Sequence, residues 1–189
     1  CNLIISFHPI IFSGLKKLNG SSYVERVVLK AIKNDIAIYA THTALDNSNE
    51  GVSAKIGAVL GLKNTSVLIP KKGIIRKLTT LVPIESAKDL RNSLFKAGAG
   101  NIGNYDNCSF SIHGEGSYRG NENSNPTIGK KGKNHTEKET QISLIYELKN
   151  EATILKSLQK NHPYEEVAYE ITTTENIHQN IGMGMIGEL

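Results

Sequence analysis

Ile36-Ala37-Ile38-Tyr39-Ala40-Thr41-His42-Thr43-Ala44-Leu45-Asp46 changes character halfway along. Its first five residues are mostly apolar and free of Gly and Pro, which predicts a short strand buried on both faces. The polar half carries His42 and, four positions later, Asp46. Open α/β sheets hold their ligands just beyond the carboxyl ends of their strands, which is where this half would emerge. Upstream, Leu3-Ile4-Ile5 runs into Ser6-Phe7-His8-Pro9 and repeats the design. If the two strands are parallel neighbours, His8, His42 and Asp46 converge at one rim. Imidazoles and a carboxylate there are metal ligands or an acid/base pair. The competing reading makes both histidines strand-end turn residues, hydrogen-bonded to backbone.

Between these strands, Ser22-Tyr23-Val24-Glu25 has the form of a capping box. Val24, Val27, Val28, Ala31 and Ile32 then recur at helical spacing and predict one buried face. A strand–helix–strand crossover of this length favours parallel, right-handed pairing. Beyond Asp46 a polar loop leads to a second helix, with Val52, Ile56, Val59 and Leu60 on its apolar face and Gly61 after its last turn. A strand over 66–69 follows.

Pro70-Lys71-Lys72-Gly73 has the composition of a linker. After it the pattern predicts a strand over 75–82 and a helix over 85–97 with Ala87, Leu90 and Leu94 on one face. Two β-like stretches flank a Gly- and Asn-rich loop over 113–133. A half-solvated antiparallel strand is predicted over 141–148, a helix over 151–160 with Ile154, Leu155 and Leu158 inward, and a strand over 167–171. The order β-α-β-β-α-β is the split, ferredoxin-like arrangement. Ile181-Gly-Met-Gly-Met-Ile-Gly-Glu-Leu189 reads as a return to the first sheet. The expected organisation is an α/β domain begun by residues 1–72, interrupted by an inserted ferredoxin-like α+β domain over 73–174, and resumed by 175–189. Cys1 opens inside an apolar run and Leu189 closes inside another, so the chain is expected to be part of a longer protein.

Composition narrows the function classes. The 189 residues are 39% apolar, with no run of membrane-spanning length and no signal-peptide pattern. Cys1 and Cys108 form no CxxC motif and no disulfide framework, so a cytoplasmic setting is the default. A net charge of +4 from scattered lysine pairs, with no Trp and four Phe, lacks the dense basic stripe of a nucleic-acid binder. Four Asn-x-Ser/Thr sequons, without a secretory signal, are taken as chance matches.

Three further segments are weighed. His162-Pro163-Tyr164-Glu165-Glu166 offers an imidazole and two carboxylates, but Pro163 forbids helix continuation, and a structural role at the end of a helix is favoured. The glycine-rich loop from Gly114 to Lys133 lacks GxxxxGK[ST] and lies between β segments, so it reads as a hairpin or packing arm and not as a phosphate cradle. Cys108, beside Asp106, has no cation placed to lower its pKa and reads as a strand residue.

Leu3-Ile-Ile-Ser-Phe-His8-Pro-Ile-Ile-Phe12, Ala40-Thr-His-Thr-Ala-Leu-Asp46, Ala97-Gly-Ala-Gly-Asn-Ile-Gly-Asn-Tyr-Asp-Asn-Cys-Ser-Phe110, His162-Pro-Tyr-Glu-Glu-Val-Ala-Tyr169 and Gly184-Met-Ile-Gly-Glu-Leu189 together resemble the Nif-three-like dinuclear metal-centre proteins, also called GTP cyclohydrolase type 2 homologues. The resemblance spans the chain, which would represent a central portion of about half of such a protein. It implies a metal-binding α/β domain, a CutA/PII-like inserted domain, and a toroidal homo-hexamer. It also implies up to two divalent ions (Zn, Mn or Fe) per subunit of the full-length protein and a small-molecule substrate such as GTP or a related heterocycle. No nucleic-acid or membrane partner is implied. By the same resemblance His8 and Asp46 are metal ligands; His42 is read beside them as a supporting or proton-transfer residue. Phe7 stands where the family has a first histidine, so one ion is expected to be weaker, or held by water or by His42. Two functional classes follow: a metal-dependent hydrolase, or a non-catalytic metal-binding or regulatory hexamer.

Overall fold

A computed structural model describes residues 1–189 and divides them into two compact units, Cys1–Lys71 with Gln179–Leu189, and Lys72–His178. The architecture is mixed α/β, and no helix is long and apolar enough to cross a membrane. Both cysteines are free thiols.

In the first unit, strand β1 (Leu3–Ser6) pairs in parallel with β2 (Ala37–Ala40), joined by helix α1 (Tyr23–Lys33). The N-terminus of α1 is built as the Ser22–Glu25 spacing predicts. The Glu25 N–H donates to Ser22 Oγ at 3.2 Å. The returning carboxylate goes further than a simple capping box. Glu25 Oε2 accepts the backbone N–H groups of Asn19, Gly20 and Ser21 at 2.9, 2.9 and 3.2 Å, and so folds the approaching loop around itself. Burial works to raise the Glu25 carboxyl, but the Asn19, Ser22, Ser21 and Gly20 hydrogen bonds together hold it below its ordinary value.

Helices α2 (His42–Asp46) and α3 (Val52–Val59) follow, and then strand β3 (Lys63–Lys71), which pairs with β8 (His178–Glu188) in a separate two-stranded sheet. Three expectations need correction here. The β1–β2 strands are not buried on both faces: Ile5 is 67% and Tyr39 61% exposed. Two strands and one crossover helix leave the outer face of the sheet without a covering layer. The predicted inward face of α3 is also open, with Ile56 55% exposed. Finally, β8 returns to β3 and not to the β1–β2 sheet. Strand β3 runs through the supposed linker to Lys71, and Pro70 is tolerated because a two-stranded sheet has only edge strands. Gly182 in β8 is required by close approach, since a Cβ there would overlap the Ile69 carbonyl oxygen and the Val67 side chain.

The second unit holds nearly all of the core. Strands β4 (Ile75–Pro83), β5 (Phe110–Arg119), β6 (Asn134–Glu147) and β7 (Tyr169–Thr173) form one antiparallel sheet in the order β5-β6-β4-β7. With helices α4 (Ala87–Lys96) and α5 (Glu151–Asn161), this is the β-α-β-β-α-β topology of the sequence reading. Leu78 and Val82 of β4, Ile142 and Leu144 of β6, Leu90 and Leu94 of α4, and Ile154 and Leu158 of α5 interdigitate as one buried cluster. Strand β6 is more buried than a half-solvated strand because it sits between β5 and β4, not at an edge. The polar loop is shorter than predicted. Strand β5 continues to Arg119 and leaves only 120–133 outside the ladder.

His162 ends α5 in the structural role favoured for it. It is 7% exposed. Its Nδ1 accepts the Tyr164 N–H at 3.1 Å, so Nε2 carries the proton and donates to the Leu81 carbonyl at 2.8 Å. Desolvation lowers its pKa, against opposing contributions from the Leu81 hydrogen bond and the Glu139 charge. A histidine whose folded pKa lies below its unfolded one stabilises fully above the unfolded value, near 6.5. That stability is lost as the pH falls below 6.5 toward the folded pKa, because the unfolded chain then binds the extra proton. The urea midpoint should therefore fall between pH 7 and 5, and His162→Gln should flatten that slope. An unaltered slope in the variant would remove His162 from the account.

Candidate functional site

The parallel ladder of β1 and β2 sets the geometry of the rim. Ser6 lies opposite Ala40. Pairing continues past the strand ends, with Thr41 N–H on the Ser6 carbonyl at 2.9 Å and His42 N–H on the Phe7 carbonyl at 2.8 Å. His8 and His42 each lie two residues beyond a matched pair, so the register delivers both imidazoles to the same end. Their ring centroids are 5.6 Å apart with the planes tilted by 57°.

Two phenyl rings frame them. Phe7 stands edge-on to His8 at 4.9 Å and lies 5.8 Å from His42. Phe12 lies 6.2 Å from His8 and 6.1 Å from His42. From sequence alone Phe12 is named only as the end of the Leu3–Phe12 stretch. The available signal is an aromatic residue four positions after His8, next to a strand end. Ser6 Oγ donates to the His8 carbonyl at 2.9 Å and fixes the turn. His42 has φ +39°, a left-handed conformation uncommon for a residue with a side chain. The N–H bond to Phe7 holds it there.

Two imidazoles sharing one ion, through bonds of about 2.0–2.1 Å at a tetrahedral angle, put their ring centres roughly 5 Å apart. The separation of His8 and His42 fits such a pair. Asp46, four residues after His42 at the end of α2, is half-buried. It does not complete a three-ligand group, and no set of three or more His, Cys, Asp or Glu side chains in this chain is placed to hold an ion. The chain thus brings two imidazoles together with no third such side chain beside them.

A second concave feature escapes the sequence reading. A cleft of about 400 Å³ in the Lys72–His178 unit is floored by Glu139 and walled by Tyr118 and Tyr164. Its signal is Gly116-Ser117-Tyr118, a strand segment with a side chain missing from the face that carries Tyr118.

Comparison with known proteins places these features in context. The family profile described as Duf34/NIF3 (NGG1p interacting factor 3) matches residues 1–189. The chain is 38% identical over 188 residues to a GTP cyclohydrolase 1 type 2 homolog of Halalkalibacterium halodurans, covering 99% of this chain and 50% of that protein. It is 37% identical over 189 residues to the Bacillus subtilis protein of the same name, covering 100% and 51%. A crystal structure of a Bacillus cereus protein related to NIF3 superimposes with a TM-score of 0.75 at 37% identity, covering 98% of this chain and 49% of that one. The chain spans about half the length of the curated relatives it matches.

Proposed function

The chain belongs to the Duf34/NIF3 family, and from that membership we propose that it contributes the amino-terminal ligands of a divalent-metal centre, with Zn, Mn or Fe as the ion. The single observation that carries this reading is the 5.6 Å pairing of His8 and His42 at the end of the parallel strands. His8 and Asp46 are the ligands carried over from the family pattern. His42 completes the shell on the side where Phe7 offers no donor, or takes up a proton beside it. A divalent ion bound there supplies Lewis-acid polarisation of the bond under attack and a more acidic water. The chain's own part is to fix two imidazoles against the Phe7 and Phe12 rings. The reaction proposed is metal-dependent hydrolysis of GTP or a related small heterocycle, in a cytoplasmic homo-hexamer holding up to two ions per subunit. In it the ferredoxin-like unit is a CutA/PII-like insertion.

A second reading is favoured by Phe7, which puts a hydrocarbon ring in the position of a family ligand. In it the protein binds metal and assembles without catalysing. The two separate in one experiment on the full-length protein. GTP turnover with Mn²⁺ or Zn²⁺ is measured beside an Asp46→Ala variant. The hydrolase reading expects turnover in the parent and a loss of at least about a hundredfold in the variant. Turnover untouched by Asp46→Ala eliminates it, and stoichiometric metal without turnover leaves the binding protein.

A further inference from the structure

The cleft of the Lys72–His178 unit lies on the side of the sheet turned away from α4 and α5. Leu78, Val82, Ile142 and Leu144 point into the helical core, so Leu81 and Glu139, at odd offsets from them, face the other way. The register sets Gly114 opposite Glu139, Gly116 opposite Glu137 and Tyr118 opposite His135. Of these positions Gly116 lines the cleft and carries no side chain, which leaves room beside Glu139. Gly116 is needed for a second reason: a Cβ there would overlap Glu139 Oε2 and Cδ.

Glu139 is the unusual group. Its side chain is buried, with the residue only 6% exposed, and it belongs to none of the chain's ion pairs. Its one hydrogen-bond partner is the Tyr164 hydroxyl, which donates to Oε1 at 2.9 Å. Burial and the Glu139 carboxylate push that hydroxyl's pKa upward, so it remains a donor. Oε2 has no hydrogen-bond partner in the chain, is not sealed from solvent, and is left for an incoming donor.

The surroundings select the sign and shape of that donor. Glu139, Glu165 and Glu166 oppose Arg119 alone among the charged lining residues, a local balance of −2 in a chain of net +4. The Tyr118 and Tyr164 rings meet at 5.8 Å and 63°, offering π-faces beside the carboxylate. Tyr118 is pinned by its hydroxyl on the Ile128 carbonyl at 2.9 Å. Leu81, Pro126 and Ala168 supply apolar wall. The outer rim is tied down: Asn125 N–H donates to Glu165 Oε1, and Thr127 Oγ1 donates to the Pro163 carbonyl at 2.8 Å.

We propose that this cleft binds a small organic cation, a guanidinium or primary ammonium on a short apolar stem. The head group meets Glu139 Oε2 beside the paired tyrosine rings, and the stem lies on Leu81 and Ala168. The site is independent of the metal centre, and either can fail without the other.

The test is calorimetric titration of the full-length protein with agmatine, which carries a guanidinium and an amine on a four-carbon stem. Acetate serves as the anionic control. Saturable agmatine binding that weakens with salt is expected, with no acetate heat. Glu139→Gln keeps the shape and removes the charge, and is expected to lose at least about tenfold in affinity. Leu81→Lys, on the exposed rim, places a tethered ammonium in the cleft and is expected to block agmatine without lowering the melting temperature. It keeps the test decisive if Glu139→Gln folds poorly. Absence of saturable binding at millimolar agmatine, or unchanged affinity in Leu81→Lys, overturns the proposal. So does a change of assembly size on adding agmatine, which would assign the cleft to a basic side chain of a second copy.

Discussion

Leu158→Ala is expected to destabilise the Lys72–His178 unit by about 2–5 kcal/mol, the range for deleting a large aliphatic side chain from a packed core. Leu158 is fully buried and is part of one cluster with Leu90, Leu94, Ile142 and Ile154. Its removal leaves a cavity between two helices and a sheet, and none of these can collapse without disturbing the others. For a unit of this size the loss corresponds to a fall in melting temperature of roughly 10 °C or more. Far-ultraviolet circular dichroism under heating or urea reads it directly. Ile56→Ala provides the contrast. Ile56 lies on the apolar face predicted for α3 but is 55% exposed, so the same truncation should cost less than about 1 kcal/mol. Similar losses at the two sites would mean that Ile56 is covered as Leu158 is, and would sink this assignment of the core.

That contrast also marks where sequence pattern carries information and where it stops. Ala87, Leu90, Leu94, Ile154 and Leu158 were readable because each helical stripe finds a sheet face in the same unit. The Val52–Ile56–Val59 stripe is as regular, yet period alone states only that a face is apolar. It cannot state whether a covering layer exists. Strand β6 shows the same limit, since alternation does not distinguish an edge from a central strand when polar residues such as Glu139 and Ser143 are themselves buried.

At the rim, the parallel pairing of β1 and β2 follows from the length of the crossover, and it brings His8 to His42 because equal offsets from a parallel register end together. The Glu139 cleft is not legible in the sequence, because its signal is the absence of a side chain at Gly116. Glycine in a polar segment reads first as a turn.

His8→Ala in the full-length protein is expected to weaken divalent-metal binding by on the order of a hundredfold or more. Outer partners of a metal ligand already cost 10–100-fold, and a ligand itself costs at least as much. The sharper half of the prediction concerns Phe7. Its ring centre is 4.9 Å from that of His8 and 5.8 Å from that of His42, each close to the roughly 5 Å spacing of imidazoles that share an ion. Phe7→His therefore adds a third nitrogen donor without moving the backbone, and should raise metal retained per subunit or tighten its affinity. Metal content after dialysis gives the stoichiometry. The rise in melting temperature on adding Zn²⁺ or Mn²⁺ gives affinity without an activity assay, because a ligand at a hundred times its Kd stabilises by about 2.7 kcal/mol. A parent that gains stability from metal, a His8→Ala variant that gains none and a Phe7→His variant that gains more would together require the ion to sit between these rings. Equal shifts in all three proteins would place any bound metal elsewhere and leave His8 and His42 as an aromatic corner closing the end of two strands.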